Sequence, residues 1–228
     1  MDLEKPHPPS LSPRALAIAG WAAIIVCGAV FLAIAWSVTS QNALVALDLK
    51  VANFLHAHAS GALVSFFFAV TSLHSPGAIA AWSALFAAVL WKLRERYWIL
   101  TLGVTVAAGF LVNTLLKFAY ERARPRFDDP LLTLDSYSFP SGHTAGAVLF
   151  YGVLAAFLVS RSYHWSARAG AVMGAAVMVA LVAFSRIYLG AHYLSDVVAA
   201  ACSSLVVVVV CLAAGHALVR RRASASAA

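Results

Sequence analysis

From Ala15 to Thr39 the chain carries no charged residue. At about 1.5 Å of rise per residue, a helix over 15–39 reaches across a hydrocarbon layer of about 30 Å. Further apolar segments of helical length follow at about 77–91, 97–117, 143–160, 167–185 and 193–219. In a chain of 228 residues that is 62% hydrophobic and 11% charged, with mean hydropathy +0.85, these runs exclude an ordinary soluble domain. The expected fold is all-α: a polytopic membrane protein of six transmembrane helices.

Two stretches interrupt this pattern. Residues 43–60 place Leu44, Leu47, Val51, Phe54 and Leu55 at helical spacing, with Asp48, Lys50, Asn53 and His56 elsewhere on the wheel. This predicts an amphipathic helix lying in the interface after the first span. Residues 61–73 are apolar but short, and end at the breaker cluster His74, Ser75, Pro76 and Gly77, so they too are expected at the interface. The Pro-rich segment 1–14 reads as a disordered cytoplasmic tail and 220–228 as a second tail, leaving 15–219 as one integral membrane domain.

Charge orients the spans. With the N-terminus inside, Lys5, Arg14, Lys92, Arg94, Arg96, Arg161, Arg168 and Arg220 to Arg222 all fall on the cytoplasmic side, as the positive-inside rule requires. The net charge of +7 is therefore an orientation signal, and no nucleic-acid partner is implied. Counting 61–73 as a seventh span would turn the 92–96 and 161–168 loops outward, against that rule. Cys27, Cys202 and Cys211 lie inside apolar runs, and no disulfide is suggested.

The remaining polar residues concentrate between Lys117 and Asp196. Lys117 and Arg124 lie seven residues apart, so that if the third span continues beyond the bilayer they project from one face toward one anion. Pro125 biases Arg124 away from helical geometry, and Arg126 follows it. Pro140 and Ser141 precede the fourth span. Ser141 suits an N-cap, Gly142 allows close backbone approach, and His143 falls in the first turn, where free amides attract phosphate oxygens. Arg186 falls in the loop before the sixth span and can clamp two phosphate oxygens. His192 and Asp196, four residues apart, share one helix face, where a carboxylate can hold one ring nitrogen and leave the other free. Bland readings exist for each: basic residues at span ends snorkel to headgroups, a Pro-Ser-Gly-His run caps a helix, and a His–Asp pair joins two helices.

Read together, Lys117-x6-Arg124-Pro125, Pro140-Ser141-Gly142-His143 and Ser185-Arg186-x5-His192-x3-Asp196 resemble, without a substitution and in order, the three signature motifs of the type 2 phosphatidic acid phosphatase superfamily. The resemblance implies a lipid phosphatase working through a phosphohistidine. His192 attacks phosphorus, Asp196 orients it and His143 protonates the leaving group, while Lys117, Arg124, Arg186, Ser141 and Gly142 hold the phosphoryl oxygens. It implies no metal and no cofactor, and the sequence adds no metal-ligand spacing: His56 and His58 point apart on a helix, and Asp128, Asp129 and Asp135 suit a solvated loop.

Only residues 126–139 separate the first two motifs, too few for a soluble cap, which puts the site at headgroup level. The resemblance covers enzymes acting on undecaprenyl diphosphate, phosphatidylglycerophosphate, phosphatidate or lipid A phosphates, and undecaprenyl diphosphate is favoured here. The expected setting is a bacterial cytoplasmic membrane, with both termini inside, the site facing outward and no protein partner. A lipid phosphotransferase and a non-enzymatic channel or transporter are the rival readings, and the six spans count against a soluble, vanadate-using haloperoxidase relative.

Overall fold

The computed structural model describes residues 12–226. Among them are eight helices: α1 (Pro13–Ser40), α2 (Ala43–Ala57), α3 (Gly61–Ser72), α4 (Pro76–Lys92), α5 (Arg96–Tyr120), α6 (Gly142–Arg161), α7 (Trp165–Tyr188) and α8 (Leu194–Ser226). The starts of α1, α2, α4 and α6 follow capping chemistry. Ser12 Oγ accepts from Ala15 N at 3.2 Å with Pro13 opening α1, and Ser75 Oγ accepts from Ala78 N at 3.2 Å with Pro76 opening α4.

Five helices, α1, α5, α6, α7 and α8, are long and apolar enough to cross a membrane. The bundle is built around α6, of whose most apolar window 56% is buried, against 6% for α1. Much of the apolar stock points outward, as with Ile18 (69% exposed) and Trp36 (70%). Lipid is the solvent such a surface requires. Inside, Ile79, Leu90, Trp98, Leu102, Phe150, Val153 and Phe157 form the largest core cluster, between α4, α5 and α6. Gly109 lets α5 and α6 meet beside a second cluster, Val148, Leu149 and Val208, because a Cβ would stand 2.3 Å from the Leu149 methyls.

α3 and α4 are shorter apolar helices separated by a break at 73–75, and α4, expected as a span at 77–91, has 17 residues. α3 runs antiparallel to α7, from Ser60 N, which donates to the Tyr188 hydroxyl at 3.0 Å, down to Val70 against Val182 and Ala147. α4 continues in the same direction, with Ile79 beside Gly146 and Phe86 beside Phe157. The stretch 61–73 thus packs against α7, with Phe67 and Val70 buried, and α2, which precedes it after the first span, is bent 119° from it. At the break, His74 Nε2 meets the Tyr151 hydroxyl at 2.9 Å and Nδ1 meets Val70 O at 2.8 Å, so the interrupted backbone is not left bare.

α2 divides its expected apolar face: Leu44, Val51 and Leu55 are half-buried on the inward side, where Asp48 is fully buried, while Leu47 and Phe54 face outward with Lys50 and Asn53. In a membrane the apolar face needs no protein cover, whereas the carboxylate needs a partner. Of the tails, residues 1–11 and 227–228 lie outside the described residues; α1 begins at Pro13, and α8 continues to Ser226, through most of the expected C-terminal tail.

Candidate active site

All three motifs meet at one end of the bundle, where α5 and α7 finish and α6 and α8 begin. Ser141 N donates to Asp196 O at 3.2 Å, tying the second and third motifs together through backbone, and His192 N donates to Arg186 O at 3.2 Å within the third. The opposite end is marked by the Arg161–Glu95 ion pair at 2.9 Å.

Lys117 and Arg124 do not share a helix. Glu121, with φ 44°, caps α5 in the left-handed region and turns the chain into an extended loop, so Arg124 arrives from the loop rather than two turns along the helix. The two cations still converge. Lys117 Nζ donates to Tyr137 O at 2.6 Å, and Arg124 Nη2 donates to the same oxygen at 3.2 Å. Arg124 also donates through Nε to Ser136 O (2.6 Å) and through Nη1 to Ala191 O (2.6 Å). Burial lowers its pKa while the charge of Asp196 opposes that shift. Arg126 is exposed, as are Asp128, Asp129 and Asp135, in keeping with a solvated loop.

Ser141 caps α6 as expected: its Oγ faces Thr144 N at 3.5 Å and accepts from Thr144 Oγ1 at 3.1 Å. The Phe139–Pro140 bond before it is cis. A Cβ on Gly142 would meet Asn113 Oδ1 at an ordinary 3.6 Å, so the protein itself does not demand glycine there. Asn113, one turn before Lys117 on α5, is buried with no partner for its Nδ2. His143 is half-buried in the first turn, within electrostatic reach of Arg186, His192 and Arg124.

Arg186 lies in the last turn of α7 rather than in a loop, because the helix runs on to Tyr188. It is 1% exposed; Nη1 donates to Thr71 Oγ1 of α3, and Nε has no partner. Leu189 and Gly190 then make the turn to His192. Gly190 is required there, since its φ is +67° and a Cβ would stand 2.7 Å from Phe127, whose ring stacks on His56 at 4.0 Å.

His192 precedes α8 and is buried. Its Nε2 lies 3.2 Å from Arg124 Nη1, and its Nδ1 lies 3.5 Å from Asp196 Oδ2 without a hydrogen bond. Arginine only donates, so Nε2 carries the lone pair and Nδ1 the proton. Burial pushes the imidazole pKa down to about 3 against the pull of Asp196, which keeps the ring neutral. Asp196 is anchored independently: Oδ2 accepts from Ser138 Oγ and from Tyr193 N (2.9 Å), and Oδ1 from Arg122 Nη1 (2.6 Å).

Sequence reasoning missed Arg122, Asp48, Ser138 and Thr71. Arg122 and Asp48 are charged residues whose partners are far apart in sequence, and no spacing rule joins them. The eight residues it named come together at this end. Among the described residues, none of Lys117, Arg124 and Arg186 is ion-paired with a carboxylate, and no group of three or more His, Cys, Asp or Glu could hold a metal ion.

Fold and site define a polytopic helical membrane protein that gathers a buried histidine and cations without carboxylate partners at one end of its bundle. The PAP2 superfamily model matches residues 98–220, over half of the chain, and the chain belongs to that superfamily. It is 44% identical over 89 residues to phosphatidylglycerophosphatase B of Bacillus subtilis, covering 39% of this chain and 43% of that protein. It is 30% identical over 128 residues to the undecaprenyl-diphosphatase BcrC of the same organism, covering 53% of this chain and 61% of that one. The chain thus spans about half the length of these curated relatives. The crystal structure of a transmembrane PAP2-type phosphatidylglycerolphosphate phosphatase from Bacillus subtilis is similar at TM-score 0.77 and 26% identity, over 83% of this chain and 94% of that one. The Aquifex aeolicus LpxE structure, at TM-score 0.59 and 23% identity over 73% of this chain and 94% of that one, shares the fold.

Proposed function

We propose that this protein hydrolyses the phosphate or diphosphate headgroup of a membrane lipid through a phosphohistidine on His192. The carrying observation is the placement of the His192 ring, with Nε2 3.2 Å from Arg124 Nη1 and Nδ1 3.5 Å from Asp196 Oδ2, at the end of the bundle that also holds Lys117 and Arg186, none of these cations having a carboxylate partner among the described residues. Burying that much positive charge is unfavourable unless an anion completes it.

In the first step Nε2 attacks phosphorus and the P–N bond forms as the P–O bond to the lipid breaks. His143 gives a proton to the departing oxygen. Asp196 stabilises the positive charge that develops on the ring, and Lys117, Arg124 and Arg186, with Ser141 and Gly142 at the start of α6, hold the equatorial oxygens. In the second step water attacks phosphorus, His143 takes its proton, and the P–N bond breaks to release orthophosphate and restore His192.

Phosphatidylglycerophosphate and undecaprenyl diphosphate are the substrates that the likeness to the two Bacillus subtilis enzymes supports. The site belongs on the outer face of a bacterial cytoplasmic membrane, with both termini inside. Support comes from Lys92, Arg94, Arg96, Arg161 and Arg168, which all sit toward the end of the bundle opposite the site.

The test is orthophosphate release by detergent-purified protein from a panel of lipid mono- and diphosphates, with EDTA present and His192→Ala in parallel. Release by the wild type alone, with 32P trapped on the protein after acid-free quenching, is expected. Equal release by both proteins defeats the reading. Membrane-impermeant labelling of Asp129→Cys in intact cells, with Arg94→Cys unlabelled, is the expected topology result; the reverse pattern defeats the orientation.

A further inference from the structure

Behind the reacting face lies a buried ion cluster that joins Asp196 to Arg122 and Asp48, neither of which is a specified position of the three motifs. Arg122 is 8% exposed and Asp48 is fully buried. Arg122 Nη2 donates to Asp48 Oδ2 at 2.8 Å, and Nη1 donates to Asp196 Oδ1 at 2.6 Å and to Ser195 Oγ at 2.7 Å. Asp48 Oδ1 accepts from Ser195 N at 3.0 Å, and Ser195 Oγ donates to Asp48 Oδ2. The guanidinium also sits 4.3 Å over the Tyr193 ring. Finally, Arg122 O accepts from Ser138 N at 2.8 Å, which sets the hydroxyl that Ser138 donates to Asp196 Oδ2. Arg122 thus governs both oxygens of Asp196, one directly and the other through Ser138.

Two carboxylates around one guanidinium leave the cluster with a net charge of −1, and apolar residues of the same shape would be no less stable there. A fourth phosphate-binding cation is a poor description of Arg122, because its charge is already shared between Asp48 and Asp196. What the cluster does uniquely is fix a direction. The Asp196 carboxylate faces His192 Nδ1 at 3.5 Å, and a turn of the carboxylate lets the ring rotate Nε2 away from the phosphoryl group.

We propose that Asp48 and Arg122 are positioning residues for phosphoryl transfer, through which α2 sets the angle of the Asp196 carboxylate and so of the His192 imidazole. This rests on the roles given above to His192 and Asp196. α2 therefore belongs to the working site although it carries no motif residue.

The decisive variant is Asp48→Asn with Arg122→Met, which removes one charge of each sign and keeps the cluster's net charge. It is compared with wild type, Arg122→Met, Arg122→Lys and His192→Ala as detergent-purified full chains, on phosphatidylglycerophosphate and undecaprenyl diphosphate in mixed micelles. The expected result is a fall in kcat of about 10- to 100-fold per folded molecule, the range for residues that orient a reacting group from behind. KM and the inhibition constant of orthophosphate should stay within about threefold, because no ligand contact is lost. Arg122→Lys, which keeps the charge without the fork, should retain more turnover than Arg122→Met.

Wild-type kcat in the double variant, with His192→Ala inactive, overturns the positioning role alone. A rise in KM and in the orthophosphate inhibition constant with kcat intact makes Arg122 a ligand of the substrate and also overturns it. Turnover by His192→Ala overturns the reading beneath and this inference with it. Should the double variant not fold, Arg122→Lys is judged by the same separation of kcat from KM.

Discussion

Arg124 holds its Nη1 3.2 Å from His192 Nε2, and that contact chooses the tautomer of the ring. Because a guanidinium has no acceptor, the nitrogen facing it is unprotonated, and the proton sits on Nδ1, toward Asp196. The same arginine is fixed by Ser136 O, Tyr137 O and Ala191 O, so the loop that follows α5 and the turn that precedes α8 are held by one side chain.

Arg124→Lys keeps the charge but loses the fork that holds these oxygens. Turnover should fall about 10- to 100-fold with the protein still folded, as for other groups that orient a reacting ring. Steady-state kinetics on the lipid panel beside a thermal melt checks both halves; unchanged kcat contradicts the role given to the contact.

Asp196→Asn preserves shape and removes the charge that faces Nδ1. A comparable carboxylate-to-amide change behind a catalytic histidine lowers kcat by about 10⁴-fold in a serine hydrolase, where the tautomer is disturbed. A loss of about 10² to 10⁴ with substrate affinity retained is expected here. It is read from single-turnover phosphate release and from failure to trap phosphoprotein.

The acid side of the stability curve should carry the signature of His192. Its folded pKa is pushed from 6.5 down to about 3 by burial, so below pH 6.5 the unfolded chain takes up a proton that the folded protein refuses. Stability contributed by the neutral ring is present above pH 6.5 and is lost as pH falls, by up to about 1.4 kcal/mol per pH unit. His192→Gln removes that slope. Melting temperatures of the two proteins between pH 7.5 and 4.5, a window of about three units around the free imidazole value, should converge in acid; parallel curves would refute the assignment.

Gly190→Ala tests the turn that delivers His192. The φ of +67° and the 2.7 Å approach to Phe127 leave no relaxed position for a methyl group. A loss of about 1 to 3 kcal/mol is expected, with activity falling as the turn shifts. Thermal melting in detergent measures it, and an unchanged melt would mean that Phe127 moves freely.

How much of this was readable from the letters differs from part to part. Helix positions were legible, because in lipid the length and apolarity of a segment nearly decide its structure: the spans expected at 97–117, 143–160 and 167–185 appear as α5, α6 and α7 with their ends extended by a few residues. The motif residues were legible because charges inside apolar runs have few bland explanations. The break at His74 was visible as a breaker cluster, yet what α3 packs against depended on α7, whose Val182 and Tyr188 receive it.

By itself, then, the sequence determined an all-helical membrane chain, the order of its spans and the eight residues expected at the site. Only the tertiary structure decided that Lys117 and Arg124 converge on Tyr137 O from a helix and a loop, that Arg186 leans on Thr71, and that Asp48 and Arg122 stand behind Asp196. The physical reason is range. Span formation is local, set by hydrophobicity and backbone satisfaction over about 20 residues, whereas a buried carboxylate's partner is chosen by packing between segments that no periodicity connects.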